Sequence, residues 1–421
     1  MTDSTRNLRD GLYLTNTMTR QKEKFVPRFD GGRVKMFTCG PSIYSRPHIG
    51  NYRTFLYEDI LQRYLEFSGY TVDRVINFTD VEDKSVAEAE QKGISNADVT
   101  EPVADTFFRE CDLLRIHLPE VIPRSSTSVD TAVELIQELL DKGYAYWHGG
   151  DVFFDPLKFQ GFGKLFGLDM TQWPAEKRRF KKDTYPGHRW NLGDFILWHG
   201  LEGKSGGIYW DTDIGRGRPA WNIQDPAMIF KHLGPKVDIS CGGIDNIYRH
   251  HDYNIAVIEA ISGDTFAHYW LHGEHVLVDG KKMSKSRNNV VLIDDLTEDG
   301  FSPAQIRFYL VHDHYRKKLN LSEKRMRRLL GRFDEFLAMI RSLEQADGPN
   351  SDGAARPHIH RIEERFVLHM NDDLDVQGAF DAVYDCLAHL AELAKDGRLS
   401  RAEGEHATAA VRKIDQVLRI L

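Results

Sequence analysis

Cysteine is scarce in this chain of 421 residues, which contains four, at positions 39, 111, 241 and 386. They lie far apart and form no CxxC pair, which excludes a disulfide-rich secreted domain and a zinc ribbon. Widely spaced cysteines are typical of a protein in a reducing compartment. We therefore expect a cytoplasmic protein.

Long apolar runs and an excess of positive charge are also missing. The sequence has no run of about 18 apolar residues and no charged-then-apolar leader, so it predicts neither a membrane span nor export. The formal net charge is −8, and any nucleic-acid partner would therefore need a local basic patch. With 41% hydrophobic and 28% charged residues over this length, the composition predicts two or three folded domains.

A strand–helix–strand unit is predicted near the N-terminus. Residues 34–38 and 72–78 are apolar runs, and residues 50–68 between them repeat apolar side chains at helical spacing. This order is typical of the βαβ unit of a parallel sheet. Short apolar runs at 237–240 and 275–278 are predicted to resume the strands. We therefore predict an α/β fold with a Rossmann-like, doubly wound parallel sheet.

The segments between and after these strands differ in character. Residues 82–146 are predicted to be mostly helical, and residues 160–218 are rich in Gly, Trp and basic residues with little periodicity. After residue 302, apolar steps of three and four predict a helical bundle. The predicted domains are 1–84, the first half of the catalytic sheet domain; 85–218, a helical and irregular connective insertion; 219–300, the second half; and 301–421, the bundle.

Two short motifs indicate polyphosphate chemistry. The run PHIGN at residues 47–51 opens the first predicted helix, where backbone N–H groups and the helix dipole favour phosphate. The run KMSKS at residues 282–286 lies in a loop after an apolar run, and its lysines suit the charge that develops on a leaving pyrophosphate. Taken singly, a His at a helix start is more often a cap, and loop lysines are usually solvated. The ordered pair favours a nucleotide site.

The chain resembles the class I aminoacyl-tRNA synthetases and, within them, the cysteinyl-tRNA synthetase family. Beyond the two motifs, the resemblance rests on further segments that stand in family order. These are TRQKE at 19–23, CGPSIY at 39–44, RT at 53–54, NFTDVEDK at 77–84, DFILW at 194–198, GRPAW at 217–221, GGID at 242–245 and HH at 250–251. The resemblance implies an ATP-dependent ligase that forms an aminoacyl adenylate and transfers the amino acid to an acceptor.

The resemblance implies which residues would bind ATP and carry the reaction. His48, Asn51, Lys282 and Lys285 would be catalytic, with the lysines stabilising the transition state as a carboxylate attacks the α-phosphorus. The implied ATP-binding residues are Gly40, His48, Gly50, Asn51, Gly242, Gly243, Asp245, Lys282, Ser284 and Lys285. Asp245 would accept hydrogen bonds from the ribose, Gly50 would let the nucleotide approach the backbone, and Mg²⁺ would enter with ATP.

The implied amino-acid pocket departs from the family. Its residues are Cys39, Thr79, Trp221, Asp225, His250 and Asn254. The family holds zinc, which binds the substrate thiolate, through two Cys, one His and one Glu. Cys39 and His250 stand at two of these positions, but Asp225 and Asn254 stand where the second Cys and the Glu belong. A neutral amide oxygen is a poor zinc ligand, so we predict no metal site and regard an inert buried thiol as an equal explanation of Cys39.

The altered pocket bears on the substrate. Without zinc, cysteine loses the group that separates it from serine or alanine. Asp225 adds a negatively charged side chain where the resemblance implies a thiolate. We therefore expect another small amino acid, with a hydroxyl or a cationic side chain, and zinc-dependent selection of cysteine would contradict this.

The acceptor is open between tRNA and a small-molecule amine. The family continues past its helical bundle into an anticodon-reading domain, whereas this sequence ends at Leu421. A related branch, the ligases that join cysteine to an amino-sugar in mycothiol synthesis, also lacks that domain. We therefore expect a tRNA-independent amine acceptor, with a cysteine–tRNA ligase or another minimal synthetase as the alternative. The tRNA candidates are residues 173–190 and the basic residues Lys324, Arg325, Arg327, Arg328 and Arg332. For these basic residues we favour a solvated helix face over contact with tRNA, given the acidic total charge.

A second class of function is a binding module that senses a nucleotide or an amino acid without turnover. The intact KMSKS run disfavours this interpretation, because a pure binder gains little from a loop suited to a transition state. Absence of pyrophosphate exchange with every amino acid would favour it.

Overall fold

The computed structural model of the protein describes residues 11–172, 193–201, 207–283, 287–349 and 351–421. The strands, in chain order, are β1 (Tyr13–Asn16), β2 (Gln21–Lys24), β3 (Arg33–Thr38), β4 (Thr71–Ile76), β5 (Ala145–His148), β6 (Asp151–Phe154), β7 (Phe195–Gly200), β8 (Trp210–Thr212), β9 (Gly215–Pro219), β10 (Val237–Gly243), β11 (Ala267–Gly273), β12 (Val276–Val278), β13 (Lys281–Lys282) and β14 (Leu319–Leu321). The α-helices are α1 (Ile49–Phe67), α2 (Asp83–Lys92), α3 (Asn96–Leu113), α4 (Val129–Asp141), α5 (Trp221–His232), α6 (Asp252–Ser262), α7 (Ile293–Glu298), α8 (Pro303–His312), α9 (Glu323–Glu344), α10 (Arg356–Met370), α11 (Val376–Lys395) and α12 (Arg401–Leu418).

A parallel sheet of four strands lies at the centre of the α/β part. Its order is β11-β10-β3-β4, and every neighbouring pair is parallel. On one side of the sheet, helix α1 connects β3 to its neighbour β4. On the other side, helix α6 lies in the connection from β10 to its neighbour β11. The direction of winding therefore reverses between β3 and β10, which is where open α/β sheets bind their ligands. The predicted doubly wound parallel sheet is confirmed.

One strand of this sheet was assigned wrongly from the sequence. The apolar run at 275–278 contains β12, which pairs with β13 and β14 in a separate small sheet. The fourth strand of the parallel sheet is β11, whose apolar run is interrupted by His268 and His272. His272 is nevertheless buried, because its ring nitrogens have partners within the protein.

The connective region is more regular than its sequence suggested. Five antiparallel strands in the order β5-β6-β7-β9-β8 form a second sheet, so the irregular character predicted for residues 160–218 is wrong for β7, β8 and β9. Trp198 on β7 and Phe154 on β6 are fully buried in a cluster that includes residues of α4, α5 and α6. These strands are short and aromatic, and only pairing between distant segments reveals them.

The C-terminal helices form the predicted apolar stripe. Met326, Phe333, Phe336, Ile340 and Leu343 of α9 are buried, and α9 packs with α11 and α12. Among the described residues, no helix is both long and apolar enough to cross a bilayer. The domain boundaries given above stay a prediction.

Candidate active site

The site lies at the carboxyl ends of the four parallel strands. Cys39 follows β3, Asn77 follows β4, Gly243 ends β10 and Glu274 follows β11. A cavity of about 450 Å³ opens at this edge. The predicted site residues that line it are Cys39, Gly40, His48, Gly50, Asn51, Gly243, Asp245 and Lys282.

The N-terminus of α1 forms one wall of this cavity. His48 is the N-cap: its Nδ1 accepts from the backbone N–H of Asn51 (3.3 Å), and the Asn51 Oδ1 accepts from the His48 N–H (3.0 Å). Because Nδ1 is an acceptor, a neutral His48 ring carries its proton on Nε2, the tautomer that can donate to a phosphate oxygen. The first turn of α1 contains no acidic residue, so its positive dipole end is not neutralised there. His48 can therefore cap α1 and still direct its Nε2–H at a phosphate oxygen.

Two glycines of the site are required by close packing within the protein. A Cβ on Gly40 would lie 1.9 Å from the carbonyl oxygen of Asn77, and a Cβ on Gly50 would lie 2.9 Å from Cε1 of His48. Real Cβ atoms do not approach so closely, so a side chain at either position would displace these neighbours. The absence of a side chain at Gly50 thus leaves room for the His48 ring and leaves the N-terminus of α1 open.

The opposite wall comes from the second half of the sheet. Asp245 follows β10 directly, and Lys282 ends β13, whose pairing with β12 brings it to the cavity. Gly242 is buried just behind this wall, where its N–H and C=O both bond to the Tyr57 hydroxyl (3.0 and 2.8 Å). Ser284 and Lys285 lie outside the described residues.

Residues that were not predicted as site residues also line the cavity, among them Arg46, Asn246, Glu274 and His275. Arg46 is fixed by ion pairs with Glu110 and with Asp294 (2.6 Å). Position was an available signal for Arg46, just before α1, and for Asn246, shortly after β10. It was not available for Glu274 and His275, because they follow β11, which was not predicted.

A second cluster lies beyond Cys39 and does not line the cavity. Its centre is Asp225 of α5, which is 2% exposed. The Asp225 carboxylate accepts from Asn77 Nδ2 (2.7 Å) and lies 3.0 Å from His250 Nε2 and 3.5 Å from Asn254 Nδ2. The Trp221 ring stacks on His250, with ring centroids 5.5 Å apart. The structure thus brings the predicted pocket residues Trp221, Asp225, His250 and Asn254 together.

Thr79, the remaining predicted pocket residue, lies beside this cluster, with its Oγ1 3.5 Å from Asn77 Nδ2. The link between Asn77 and Asp225 spans 148 positions of sequence, and Asn77 was not predicted as a pocket residue. In the structure β4 ends at Ile76 and Asn77 directly follows it, whereas the strand predicted at 72–78 would have included this residue.

A buried chain of hydrogen bonds leads from Cys39 away from the cavity. Cys39 Sγ lies 3.0 Å from His251 Nε2, His251 Nδ1 lies 2.8 Å from His272 Nε2, and His272 Nδ1 lies 2.8 Å from Thr17 Oγ1. Burial raises the pKa of the Cys39 thiol well above its usual range, and the Asp225 carboxylate raises it further. Burial also lowers the pKa of His251 well below its usual range and that of His272 to about 3. The chain is therefore built from neutral groups.

Three side chains at this place could each offer a metal ligand. Ligand atoms of Cys39, His250 and His251 lie within 4.8 Å of one another. Each of them already has a hydrogen-bond or ion-pair partner in this network, as described above.

Comparisons with known proteins agree with this geometry. The sequence profile of a family described as tRNA synthetases class I (C) catalytic domain matches residues 25–330. The chain is 37% identical to a cysteine–tRNA ligase of Chlamydia pneumoniae over 98% of its own length and 87% of the relative's length. It is 35% identical to the cysteine–tRNA ligase of Chlamydia muridarum over 97% of its length and 88% of the relative's length.

Solved structures show the same fold at low identity. A methionyl-tRNA synthetase of Mycobacterium tuberculosis in complex with methionyl-adenylate superposes with a TM-score of 0.62 and 15% identity, over 92% of this chain and 90% of that one. A leucyl-tRNA synthetase of Agrobacterium radiobacter, in a ternary complex with tRNA and LeuAMS, gives a TM-score of 0.64 at 12% identity, over 94% and 85%. The length and identity of the sequence matches decide the family: this chain belongs to the class I tRNA synthetases, among the relatives of the cysteine–tRNA ligases.

Proposed function

We propose that the protein activates a small amino acid with ATP and transfers it to the 3′ end of a tRNA. The observation that carries this proposal is one cavity lined by a helix N-terminus with His48, by Asp245 after β10 and by Lys282. Groups at three distant places in the sequence converge there, as the binding of a triphosphate requires.

The reaction has two steps. In the first, an oxygen of the amino-acid carboxylate attacks the α-phosphorus of ATP, and the bond to the bridging oxygen breaks to release pyrophosphate. In the second, a terminal ribose hydroxyl of tRNA attacks the carbonyl carbon of the adenylate, and AMP leaves. The side chains orient the reactants and stabilise charge without forming a covalent intermediate.

Each wall of the cavity has a role in the first step. The N–H groups at the start of α1 and the Nε2–H of His48 would donate to phosphate oxygens, and Asp245 would accept from the ribose. Lys282 would meet the negative charge that moves onto the pyrophosphate, together with Lys285 of the same motif. Mg²⁺ would enter bound to the ATP phosphates.

The relatives favour tRNA over a small amine as the acceptor. Cysteine–tRNA ligases match 97–98% of this chain, and neither a tRNA-independent ligase nor an inactive sensor finds support among the comparisons. The amine acceptor expected from the sequence is therefore replaced by tRNA in this proposal. Of the basic residues proposed for tRNA on α9, Arg325, Arg327 and Arg332 each pair with a neighbouring carboxylate, which favours the solvated-face interpretation for those three.

The test has two assays on the same preparation. Exchange of labelled pyrophosphate into ATP, dependent on an amino acid, reports the first step, and acid-precipitable label on total tRNA reports the second. Lys285→Ala should lower the exchange rate by about 10²–10³-fold, which corresponds to about 3–4 kcal/mol of barrier. Exchange without any tRNA charging would move the proposal to a different acceptor, and no exchange with any amino acid would overturn it.

A further inference from the structure

The network around Asp225 bears on which amino acid the proposed activity uses, and the inference below rests on that proposed function. Asp225 is the fifth residue of α5, and its carboxylate is almost fully buried. Its two oxygens face only hydrogen-bond donors among the contacts described: Asn77 Nδ2, His250 Nε2 and Asn254 Nδ2. A buried carboxylate is tolerated when donors satisfy it in this way.

The orientation of Asn77 is fixed from both ends. Its Oδ1 accepts from the backbone N–H of Gly40 (2.6 Å), so its Nδ2 must face Asp225. The donor end of this amide is therefore directed at the carboxylate by the same backbone that lines the ATP cavity.

These residues do not fit the four-ligand zinc centre that the family resemblance implies. A metal centre needs several lone pairs that converge on one point. Here Asn254 presents its N–H donor toward Asp225, and the Asp225 oxygens are occupied by donors. Ligand atoms of Cys39, His250 and His251 lie within 4.8 Å of one another, but the Cys39 thiol is paired with His251 and the His250 ring with Asp225. Asn77, His250 and Asn254 already contact the Asp225 carboxylate, and this carboxylate stands where the resemblance implies the second thiolate of the metal centre.

We propose that this pocket works without zinc and selects a small amino acid whose side chain ends in a hydrogen-bond donor, a hydroxyl or an ammonium group. An ionised carboxylate has about four acceptor positions, and the described network offers Asp225 three donors, one of them at 3.5 Å. A donor on the substrate would complete this set. A cysteine thiolate would face a like charge, and the methyl group of alanine would leave the acceptor unpaired.

The experiment measures metal content and amino-acid selection on one sample. Protein purified without chelator is analysed for zinc by mass spectrometry, and pyrophosphate exchange is then measured with L-serine, L-2,3-diaminopropionate, L-alanine and L-cysteine, each with and without added zinc. We expect well under 0.1 zinc per chain and a kcat/KM for serine or diaminopropionate at least about 100-fold above those for alanine and cysteine. Stoichiometric zinc, or zinc-dependent preference for cysteine, would overturn the proposal while leaving the proposed function intact.

One variant of the pocket distinguishes an ammonium donor on the substrate from a hydroxyl donor. Asp225→Asn removes the charge but keeps the shape, so a preference for the ammonium side chain should fall at least about 100-fold, whereas a preference for the hydroxyl should fall less. Unchanged selection in this variant would contradict a role for Asp225. The matched control is Asp352→Asn, an exposed carboxylate paired with Arg398 on the surface, which should leave selection unchanged.

A gain-of-function variant tests the metal argument directly. Asp225→Cys combined with Asn254→Glu supplies the thiolate and the carboxylate that the family's zinc centre uses, and it should raise zinc content toward one per chain. Failure of the double variant to gain zinc, although it folds as judged by its unfolding temperature, would contradict the assignment of these two residues as the reason for zinc loss. If no amino acid supports exchange, the proposed function fails, while the zinc measurement still decides the metal question.

Discussion

Glu58 should make the stability of this protein depend on pH in a way that one substitution removes. The side chain lies on α1 beneath the site and is fully buried. Neither of its carboxylate oxygens has a hydrogen-bond partner, and the Arg74 guanidinium lies 3.6 Å away, beyond hydrogen-bond distance. Burial therefore outweighs the attraction of Arg74 and raises the pKa of Glu58 from 4.5 to about 8.

The sign of the effect follows from proton binding. Below about pH 4.5 both the folded and the unfolded chain hold the proton, so Glu58 adds no pH dependence. Between about pH 4.5 and 8 the folded chain keeps a proton that the unfolded chain has lost, so the free energy of unfolding falls as pH rises. Each pH unit in this range costs about 1.4 kcal/mol, which gives about 4 kcal/mol between about pH 5 and pH 9.

The assay compares the parent with Glu58→Gln, which resembles the protonated acid but does not titrate. For 421 residues the entropy of unfolding is about 0.9 kcal/mol/K, so about 4 kcal/mol shifts the midpoint of thermal unfolding by about 4–5 °C if the chain unfolds as one unit. The midpoint of thermal unfolding of the parent should therefore fall by about 4–5 °C relative to that of Glu58→Gln when the pH rises from about 5 to about 9. The exposed Glu120→Gln serves as the control, and its curve should follow the parent. Parallel curves for the parent and Glu58→Gln would refute the reasoning.

Three further substitutions have expected outcomes. His48→Asn keeps an N-cap acceptor but removes the imidazole, so the unfolding temperature should hold within about 1 °C while pyrophosphate exchange falls about 100-fold; a large loss of stability would assign His48 to capping alone. Arg307→Leu leaves the buried carboxylate of Asp59 without its 2.6 Å partner and should cost about 3–5 kcal/mol by denaturant unfolding, so a cost under about 1 kcal/mol would contradict a structural role. Gly40→Ala must move the backbone carbonyl of Asn77, so both stability and exchange should fall, and wild-type values for both would contradict the close packing.

The sequence predicted local elements well where the apolar period was strong. The helix expected at 50–68 is α1, at Ile49–Phe67, and the strand expected at 34–38 is β3, at Arg33–Thr38. In both, the buried face follows directly from the spacing of apolar residues. β11 was missed because His268 and His272 break its apolar run, and local periodicity cannot show that His272 finds partners in another segment.

The sequence predicted residues of the proposed nucleotide site that the structure brings together, but it missed several partners within the proposed amino-acid pocket. His48 and Lys282 belong to motifs whose chemistry is local, and the structure places both in one cavity. The partners of Asp225 come from different parts of the chain, and those of His251 include a strand that was not predicted. The resemblance implied that Asp225 and Asn254 stand at metal-ligand positions, whereas the structure shows the contacts that these two residues make.

The position of Asn77 connects the two parts of the site. One end of its amide holds the N–H of Gly40, which lines the nucleotide cavity, and the other end holds Asp225, which is proposed to read the amino acid. Neither end can turn without losing its partner, because the amide has one acceptor and one donor group. Loss of the acceptor at position 225 would therefore act on the backbone of Gly40, which lines the cavity. For this reason the bridge from Gly40 through Asn77 to position 225 persists only if the side chain at 225 keeps a hydrogen-bond acceptor opposite Asn77 Nδ2.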